Sequence, residues 1–279
     1  MKSGFIGLGN IGKPIAQCMA RAGRDLSVYD LAEVPLAELK AMGAKIADSP
    51  GQMARSVHVI GICVRNDDDV HQVMSGQDGI LANARTGLLV VLHSTVKLSL
   101  VKEIAAQAVK AGVRVVDGPV SRGQSVDGAN FVFMLGGEPD DVAEARDFVK
   151  PATCKIVHAG PLGTGMVLKL CNNNLTYLGV VAVHDALRLA GIGGADPAAL
   201  AEVISANGVG SGNMIATLSK GVTHLSGKSN GHDLPELEPL IGLAEKDLDN
   251  ARALAGERGI TLPSVEMTRQ AIATSFRGE

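Results

Sequence analysis

Hydrophobic and polar positions in the first half of the chain alternate between two periods. Short, nearly continuous apolar runs are typical of strands buried on both faces of a sheet. They occupy residues 57–64, 88–92, 113–117 and 131–135. Apolar positions spaced three and four residues apart, typical of amphipathic helices, lie between them at residues 35–42, 49–55, 67–74, 98–111 and 139–148. This alternation predicts an α/β fold with a doubly wound, mostly parallel sheet.

The pattern changes near residue 160. Residues 160–165 read G-P-L-G-T-G, a cluster of helix and strand breakers, and residues 166–190 form one long helical pattern without proline. Further helices are predicted from Asp196-Pro197 onward and at residues 211–220, 238–258 and 263–275, with a polar, glycine-rich loop at 225–233. No strand is predicted after residue 157. We therefore expect a first domain at residues 1–160 and an all-helical domain at residues 161–279, joined by helix 166–190.

The most informative motif lies at the N-terminus, where residues 4–12 read G-F-I-G-L-G-N-I-G between a predicted strand and a predicted helix. In this spacing Gly7 permits a tight turn, Gly9 lets a pyrophosphate approach the backbone, and Gly12 lets the helix pack closely on the sheet. The helix N-terminus directs free N–H groups at the phosphates. The alternative, a flexible glycine-rich turn, does not account for the flanking strand and helix.

Asp30 follows a second apolar run, 18 residues after Gly12, where a ribose-binding acid is expected. A carboxylate accepts hydrogen bonds from both ribose hydroxyls but repels a 2′-phosphate, so Asp30 favours NAD over NADP. Arg24 keeps NADP open, because a nearby arginine can bind that phosphate.

Composition excludes several function classes. The net charge is −3 and only 3% of residues are aromatic, which argues against nucleic-acid or membrane binding. The four cysteines form no C-x-x-C pair and the histidines show no H-x-x-x-H spacing, so we expect no metal site. No apolar run approaches the length of a membrane span. The glycine-rich motif begins at residue 4, so we expect no signal peptide before it. A cytoplasmic location is the expectation.

Polar residues follow several predicted strands, where ligands of open α/β sheets bind. Cys63 and Val64 end one strand and precede Arg65. The next strand is followed by His93-Ser94-Thr95. The shared placement of these segments predicts one composite site.

Lys169 and Asn173 are spaced i, i+4 on the long helix, so their side chains share one face. Gly165, one turn earlier, is expected to leave space beside Lys169. Leucines at positions 168, 170, 175 and 178 predict extensive burial of this helix. The run Asn172-Asn173-Asn174 has low helix propensity, which indicates a site rather than a structural helix.

Four motifs in order resemble the β-hydroxyacid dehydrogenase family, which includes 3-hydroxyisobutyrate dehydrogenases and tartronate semialdehyde reductases. They are the fingerprint at residues 4–12, D-G-P-V-S-R-G at 117–123, G-T-G-M-V-L-K-L-C-N-N at 163–173 and E-K-D-L at 245–248. The resemblance implies an N-terminal Rossmann domain followed by an all-α domain. It implies hydride transfer between NAD(P) and a small β-hydroxyacid or its semialdehyde, in a homodimer or homotetramer.

The resemblance also implies roles for individual residues. Lys169 would be the general acid/base, and Asn173 would orient the substrate or Lys169. The ammonium of lysine can donate a proton during carbonyl reduction, whereas alcohol oxidation requires the neutral amine. Asp247 would support the region around Lys246. The implied substrate-binding residues are Thr95, Ser121, Gly123 and Lys246. The implied cofactor-binding residues are Gly7, Gly9, Asn10, Ile11, Gly12, Asp30, Cys63, Val64, Thr95 and Lys246.

Arg122 departs from the family pattern, which has glycine at this position. It either points to solvent or binds a second anionic group on the substrate, since guanidinium suits bidentate anion binding. His93 is interpreted as a neutral structural residue, with a second proton carrier as the alternative. Two other functions stay open: a catalytically silent NAD(P)-binding module and an imine reductase-like enzyme.

Overall fold

The structure, a computed structural model, describes residues 1–122, 130–208, 214 and 234–278. The predicted loop at 225–233, the predicted helix at 211–220 apart from residue 214, and Gly123 lie outside the described residues. The chain divides into two compact units, Met1–Lys169 and Leu170–Glu279. The predicted domain boundary was nine residues earlier, after residue 160.

The first unit alternates strands and helices. Its strands are β1 (Lys2–Ile6), β2 (Asp25–Tyr29), β3 (Lys45–Ile46), β4 (Val59–Ile62), β5 (Leu89–Leu92), β6 (Arg114–Asp117), β7 (Val120–Arg122), β8 (Phe131–Gly136) and β9 (Thr153–Gly160). Its helices are α1 (Gly12–Arg21), α2 (Glu33–Ala41), α3 (Pro50–Ser56), α4 (Asp67–Ser75), α5 (Ile80–Asn83), α6 (Leu98–Lys110) and α7 (Pro139–Val149). The strands and helices predicted between residues 35 and 148 are all present. The apolar runs do not predict β3, α5 or β7, which are very short, or β9, which has no fully buried residue.

The sheet has the order β3-β2-β1-β4-β5-β6-β8-β7, with β9 beside β8. Strands β1 to β6 pair in parallel, β8 runs antiparallel to β6, and β7 runs antiparallel to β8. The expectation of a doubly wound, mostly parallel sheet is confirmed. The chain reverses its direction of travel across the sheet between β1 and β4, and ligands of such sheets bind at the carboxyl ends beside this switch point.

Both faces of the sheet are covered by apolar layers, which explains the continuous apolar runs of its strands. Phe5 of β1 lies in one layer, with Ile15 and Met19 of α1. The adjacent Ile6 lies in the other layer, with Met53 of α3 and Ile104 of α6. The period of two along β1 therefore distributes neighbouring side chains between the two layers.

The second unit contains helices and no strand among its described residues. It contains most of α8 (Thr164–Ile192), together with α9 (Pro197–Asn207), α10 (Leu234–Gly256) and α11 (Pro263–Arg277). Its core includes Leu170 and Val181 of α8 with Leu248 of α10 and Ile272 of α11. The expected burial of the α8 leucines is only partly correct: Leu170 is buried, whereas Leu168 is 38% and Leu175 is 70% exposed.

Helix α8 is also long and apolar enough to cross a membrane, judged by length and composition only. Only 22% of its most apolar 18-residue window is buried in the structure. The expectation that no apolar segment approaches the length of a membrane span is therefore wrong. The asparagines interrupt the apolar run, but they add no charge to the helix.

Candidate functional site

The glycine-rich loop after β1 lies at the switch point of the sheet. Gly7 has φ of +90°, and its N–H donates to the carbonyl of Tyr29 at 3.0 Å. A Cβ at this position would strike the carbonyl of Cys63, and a Cβ at Gly12 would strike the carbonyl of Gly7. Both positions therefore require glycine: one for the left-handed turn, the other for the close approach of α1.

The outer part of this loop is open. Gly9 and Asn10 are exposed, and apart from Gly9 and its two chain neighbours no described atom lies within 4 Å of where a Cβ of Gly9 would be. Ile11, the N-cap of α1, makes no side-chain cap hydrogen bond, and the first turn of α1 contains no acidic residue. The helix N-terminus and the open loop fit a cofactor pyrophosphate, which needs backbone N–H donors and free space.

Asp30 lies directly after β2, beside this loop. Its Oδ2 accepts the N–H of Leu8 at 2.5 Å, and its Oδ1 accepts the N–H of Ala32 at 2.8 Å. Each oxygen retains a second lone pair for a ribose hydroxyl. The geometry fits the predicted role of Asp30 toward the ribose of a dinucleotide.

Arg24 lies too far from Asp30 to bind the same ribose. The two residues flank the five-residue strand β2 at opposite ends, about 20 Å apart at the usual rise per residue. The Arg24 guanidinium instead pairs with Asp147 of α7 at 3.1 Å. The arginine on the ribose side is Arg65, whose Nε donates to Asp69 at 2.9 Å. Hydrogen bonds and charge from Asp69, with a contribution from Asp30, raise the pKa of Arg65.

The carboxyl ends of β4 and β5 meet next to the loop. The N–H of Cys63 donates to the carbonyl of Ile6 at 2.8 Å, and the N–H of Val64 donates to Ser94 Oγ at 2.8 Å. Thr95 follows in a half-buried position. Burial raises the pKa of the Cys63 thiol to about 12, against the opposing charge of Lys169. Cys63 is therefore an uncharged thiol that lines the carboxyl ends of β4 and β5, and it is not a nucleophile.

Lys169 and Ser121 are brought together by the fold, although 48 residues separate them. The Lys169 ammonium donates to Ser121 Oγ at 2.9 Å. Ser121 stands on β7, and Lys169 stands near the start of α8. A hydroxyl and an ammonium at this distance can bind a small anionic substrate and exchange a proton with it.

Asp117, the last residue of β6, fixes the start of α8. Its fully buried carboxylate accepts the N–H groups of Gly163 and Met166, each at 2.6 Å. Burial raises its pKa to about 6, although these hydrogen bonds lower it. Lys169 follows one turn after Met166, so Asp117 positions the lysine through the helix. The sequence shows Asp117 only as a motif residue.

Gly165 has a different role from the one expected. A Cβ there would strike the carbonyl of Met134 and would lie 2.8 Å from Asp117 Oδ2. Gly165 therefore allows the first turn of α8 to pack against β6 and β8. It does not keep a space free beside Lys169.

His93 is fully enclosed in the core. Its ring stacks on Phe5 with a centroid distance of 5.7 Å, and its Nδ1 lies 2.6 Å from the carbonyl of Gly118. Burial lowers the pKa of His93 to about 4, so the imidazole is neutral at neutral pH. The structural interpretation of His93 agrees with this environment, and the proton-carrier alternative does not.

The second unit holds its own polar cluster. Asn173 Nδ2 donates to Asp247 Oδ2 at 2.7 Å, and Tyr177 donates its hydroxyl to the same oxygen at 3.2 Å. Lys246 Nζ lies 3.1 Å from Asp247 Oδ1, an ion-pair distance without hydrogen-bond alignment. Burial and the charge of Asp247 raise the pKa of Tyr177, which keeps the phenol neutral. Tyr177 was not among the predicted residues, although its i, i+4 spacing from Asn173 indicates a shared face.

Arg122 points toward the glycine-rich loop. Its Nη2 donates to the carbonyl of Asn10 at 2.9 Å, and its guanidinium lies over the ring of Phe131, 5.9 Å from the centroid. Gly123, the other predicted substrate ligand of this motif, lies outside the described residues. No group of three metal-ligating side chains was found among the described residues.

Two family descriptions cover nearly the whole chain. Residues 2–160 match the NAD binding domain of 6-phosphogluconate dehydrogenase, and residues 163–278 match the NAD-binding domain of NADP-dependent 3-hydroxyisobutyrate dehydrogenase. The mouse mitochondrial 3-hydroxyisobutyrate dehydrogenase is 34% identical over 203 residues, or 72% of this chain. That alignment spans 61% of the mouse protein, so this chain covers less than two thirds of it. An uncharacterized oxidoreductase of Mycobacterium tuberculosis is 30% identical over 98% of this chain and 92% of its own length.

Solved structures share the fold. The Mycobacterium tuberculosis 3-hydroxyisobutyrate dehydrogenase with L-serine has a TM-score of 0.80 at 24% identity, over 98% of this chain and 92% of that chain. A Streptomyces aurantiacus imine reductase has a TM-score of 0.67 at 17% identity, over 100% of this chain and 98% of its own. At these identities the likeness establishes the architecture alone, a doubly wound domain followed by an all-helical one.

Proposed function

Because the chain belongs to the β-hydroxyacid dehydrogenase family of NAD(P)-dependent enzymes, we propose that it transfers a hydride between NAD(P) and a small β-hydroxyacid or its semialdehyde. The observation that carries this proposal is the 2.9 Å hydrogen bond from Lys169 to Ser121. This contact supports a role for Lys169 as the proton carrier and for Ser121 as a carboxylate ligand, in the same unit as the dinucleotide loop.

The chain's own residues supply binding and proton transfer. When bound, the nicotinamide cofactor supplies the hydride acceptor or donor. Ser121 binds the substrate carboxylate, together with the N–H of Gly123. Lys169 Nζ donates a proton to the carbonyl oxygen during reduction, and the neutral amine takes the hydroxyl proton during oxidation. Asn173 and Lys246 orient the substrate, and Thr95 approaches the nicotinamide.

NAD is the proposed cofactor in preference to NADP. The anchored Asp30 carboxylate has lone pairs for both ribose hydroxyls and repels a 2′-phosphate. Arg24 is paired with Asp147 at the other end of β2, which removes the main argument for NADP. Arg65 is held by Asp69, and its charge is offset by two neighbouring acids.

The decisive experiment is Lys169→Ala. We expect turnover to fall by at least about 10²-fold, the typical contribution of a general acid/base, while NADH binding is retained. Turnover is followed at 340 nm with a panel of 3-hydroxyacids and their semialdehydes, and binding by NADH fluorescence. Lys110→Ala, at the exposed end of α6, is the matched control and should leave both quantities unchanged.

Full turnover by the Lys169→Ala variant would refute the proposed mechanism. A protein that binds NADH but turns over no hydroxyacid would support the silent nucleotide-binding module. Reduction of cyclic imines by wild type and the Lys169→Ala variant alike would support the imine reductase alternative, whose solved representatives share this architecture.

A further inference from the structure

The side chain of Arg122 points to the face of β7 opposite the Lys169–Ser121 pair. Successive side chains of a strand point to opposite faces of the sheet. Ser121 faces Lys169, and Arg122, the next residue, reaches the carbonyl of Asn10 instead. A second anionic group on a substrate held by Ser121 would lie on the opposite face from Arg122.

The direction of Arg122 is fixed by its cross-strand neighbour. Arg122 pairs directly with Phe131 in the antiparallel ladder of β7 and β8. Its guanidinium lies over the ring of that residue, which is 1% exposed and belongs to the apolar layer beneath α1. Cross-strand contact and cation–π attraction thus hold the arginine on the face of the sheet that carries α1.

The partner of Arg122 belongs to the dinucleotide loop. Asn10 lies between Gly9 and the N-cap of α1, in the open part of the loop. One of the five N–H donors of the guanidinium is used by the carbonyl of Asn10. Within the described part of the chain, no carboxylate lies within ion-pair distance of Arg122. Its charge and remaining donors therefore stand beside the N-terminus of α1, where the described residues offer it no acidic partner.

We infer that Arg122 is a ligand of the cofactor pyrophosphate. It adds a side-chain cation to the backbone N–H groups of the loop, and guanidinium suits bidentate binding of phosphate oxygens. The inference rests on the dinucleotide cofactor of the proposed function, but not on the substrate or on Lys169 as the proton carrier. The residue that departs from the family's substrate motif thus acts on the cofactor instead.

Equilibrium binding to Arg122→Gln tests the inference without turnover. NADH and ADP-ribose both carry the pyrophosphate. Loss of charge-assisted hydrogen bonds to it should raise the dissociation constants of both ligands by about 10- to 100-fold. Adenosine, which carries no phosphate, should bind as it does to wild type. Arg122→Lys keeps the charge and should lose less affinity. The dissociation constants are measured by calorimetry and by NADH fluorescence at low and moderate salt.

The matched control is Arg85→Gln, which removes the same charge from an exposed position at the opposite, amino-terminal edge of the sheet. It should leave the dissociation constants unchanged. Wild-type affinity of Arg122→Gln for both NADH and ADP-ribose would overturn the inference. So would a selective rise in KM for dicarboxylic or sulfonated substrates, which would assign Arg122 to the substrate. Loss of turnover in Lys169→Ala tests the proposed function independently.

Discussion

At the residue scale, the backbone determines what Asp30 can bind. Leu8 and Ala32 each donate to a different oxygen, so the carboxylate cannot rotate without losing a hydrogen bond. Its remaining lone pairs are directed away from these two N–H groups. The proposed preference for NAD rests on this fixed negative charge, whose repulsion of a 2′-phosphate can be removed by a single substitution.

We predict that Asp30→Asn lowers the ratio of the NADPH to the NADH dissociation constant by about tenfold or more. The reason is the loss of a repulsion between close charges, for which a tenfold change corresponds to about 1.4 kcal/mol. Both constants are measured by fluorescence titration. Asp25→Asn, at the other end of β2 and paired with Lys45, is the control and should leave the ratio unchanged. An unchanged ratio in Asp30→Asn would assign cofactor choice to another residue.

The sequence identifies which residues belong to the site better than it predicts which of them contact each other. Lys169 and Ser121 were both identified, but only the fold shows that they contact each other. Arg24 was linked to Asp30 by closeness along the chain, yet a strand places residues at its two ends far apart. Asp117 and Tyr177 were given no role, because their effect depends on burial and on partners distant in sequence.

At the element scale, the start of α8 depends on one buried acid and one glycine. The 13-residue α6 is predictable because its helical periodicity extends over several turns, and the four-residue β5 because its apolar run is continuous and buried. The three-residue β7 has no such periodicity, although it presents both Ser121 and Arg122. The leucines of α8 were assigned to the core because the pattern shows apolar positions but not what covers them.

The ionisation of Asp117 makes stability depend on pH. Burial raises its pKa from 3.8 to about 6, so the folded protein holds this proton more tightly than the unfolded chain. Its stabilising contribution is complete below about pH 4 and is lost as pH rises through about 6. The loss amounts to about 3 kcal/mol.

Asp117→Asn should remove this dependence, because the amide does not titrate. We expect the free energy of unfolding of wild type, minus that of the variant, to fall by about 2.4 kcal/mol between pH 4 and pH 7, which is most of the full change. Urea unfolding followed by circular dichroism at several pH values measures this difference. The contributions of other titrating groups are common to both proteins and cancel. A difference independent of pH would contradict the assignment.

Gly165 and Gly191 offer a comparison within one helix. Gly165→Ala should destabilise the protein by about 1 to 3 kcal/mol, because the new methyl group would strike the Met134 carbonyl and Asp117. The new methyl group of Gly191→Ala meets no described atom within 4 Å beyond its own turns of the helix, so this change should be neutral or stabilising by up to about 1 kcal/mol. Thermal unfolding measures both. Equal effects of the two substitutions would mean that the α8 N-terminus is loosely packed.

At the scale of the whole molecule, α8 and α9 present apolar side chains to solvent. Leu175, Leu189 and Ile192 of α8 are 70%, 71% and 83% exposed, and Val203 of α9 is 58% exposed. An exposed apolar surface of this kind marks an interaction site. We propose that a second copy of the chain covers it, in a homodimer or homotetramer.

Leu189→Glu should therefore shift the protein toward smaller assemblies. The mass in solution is measured by light scattering after size-exclusion chromatography. Val109→Glu, at an exposed position of α6, is the control and should leave the mass unchanged. A monomeric wild type would refute the proposal. Co-sedimentation of wild type with lipid vesicles would instead assign the surface to a membrane.

The hydrogen bonds of Asp117 set a limit on how the protein can be divided. A fragment that ends at residue 160, where the first family description stops, would lack the two N–H donors of Gly163 and Met166. It would retain the buried carboxylate without these partners, at a cost in autonomous folding. A chimaera that exchanges the helical half should therefore be joined after Lys169, the last residue of the first unit. Lys169, the proposed general acid/base, would then be encoded together with the dinucleotide half of the gene.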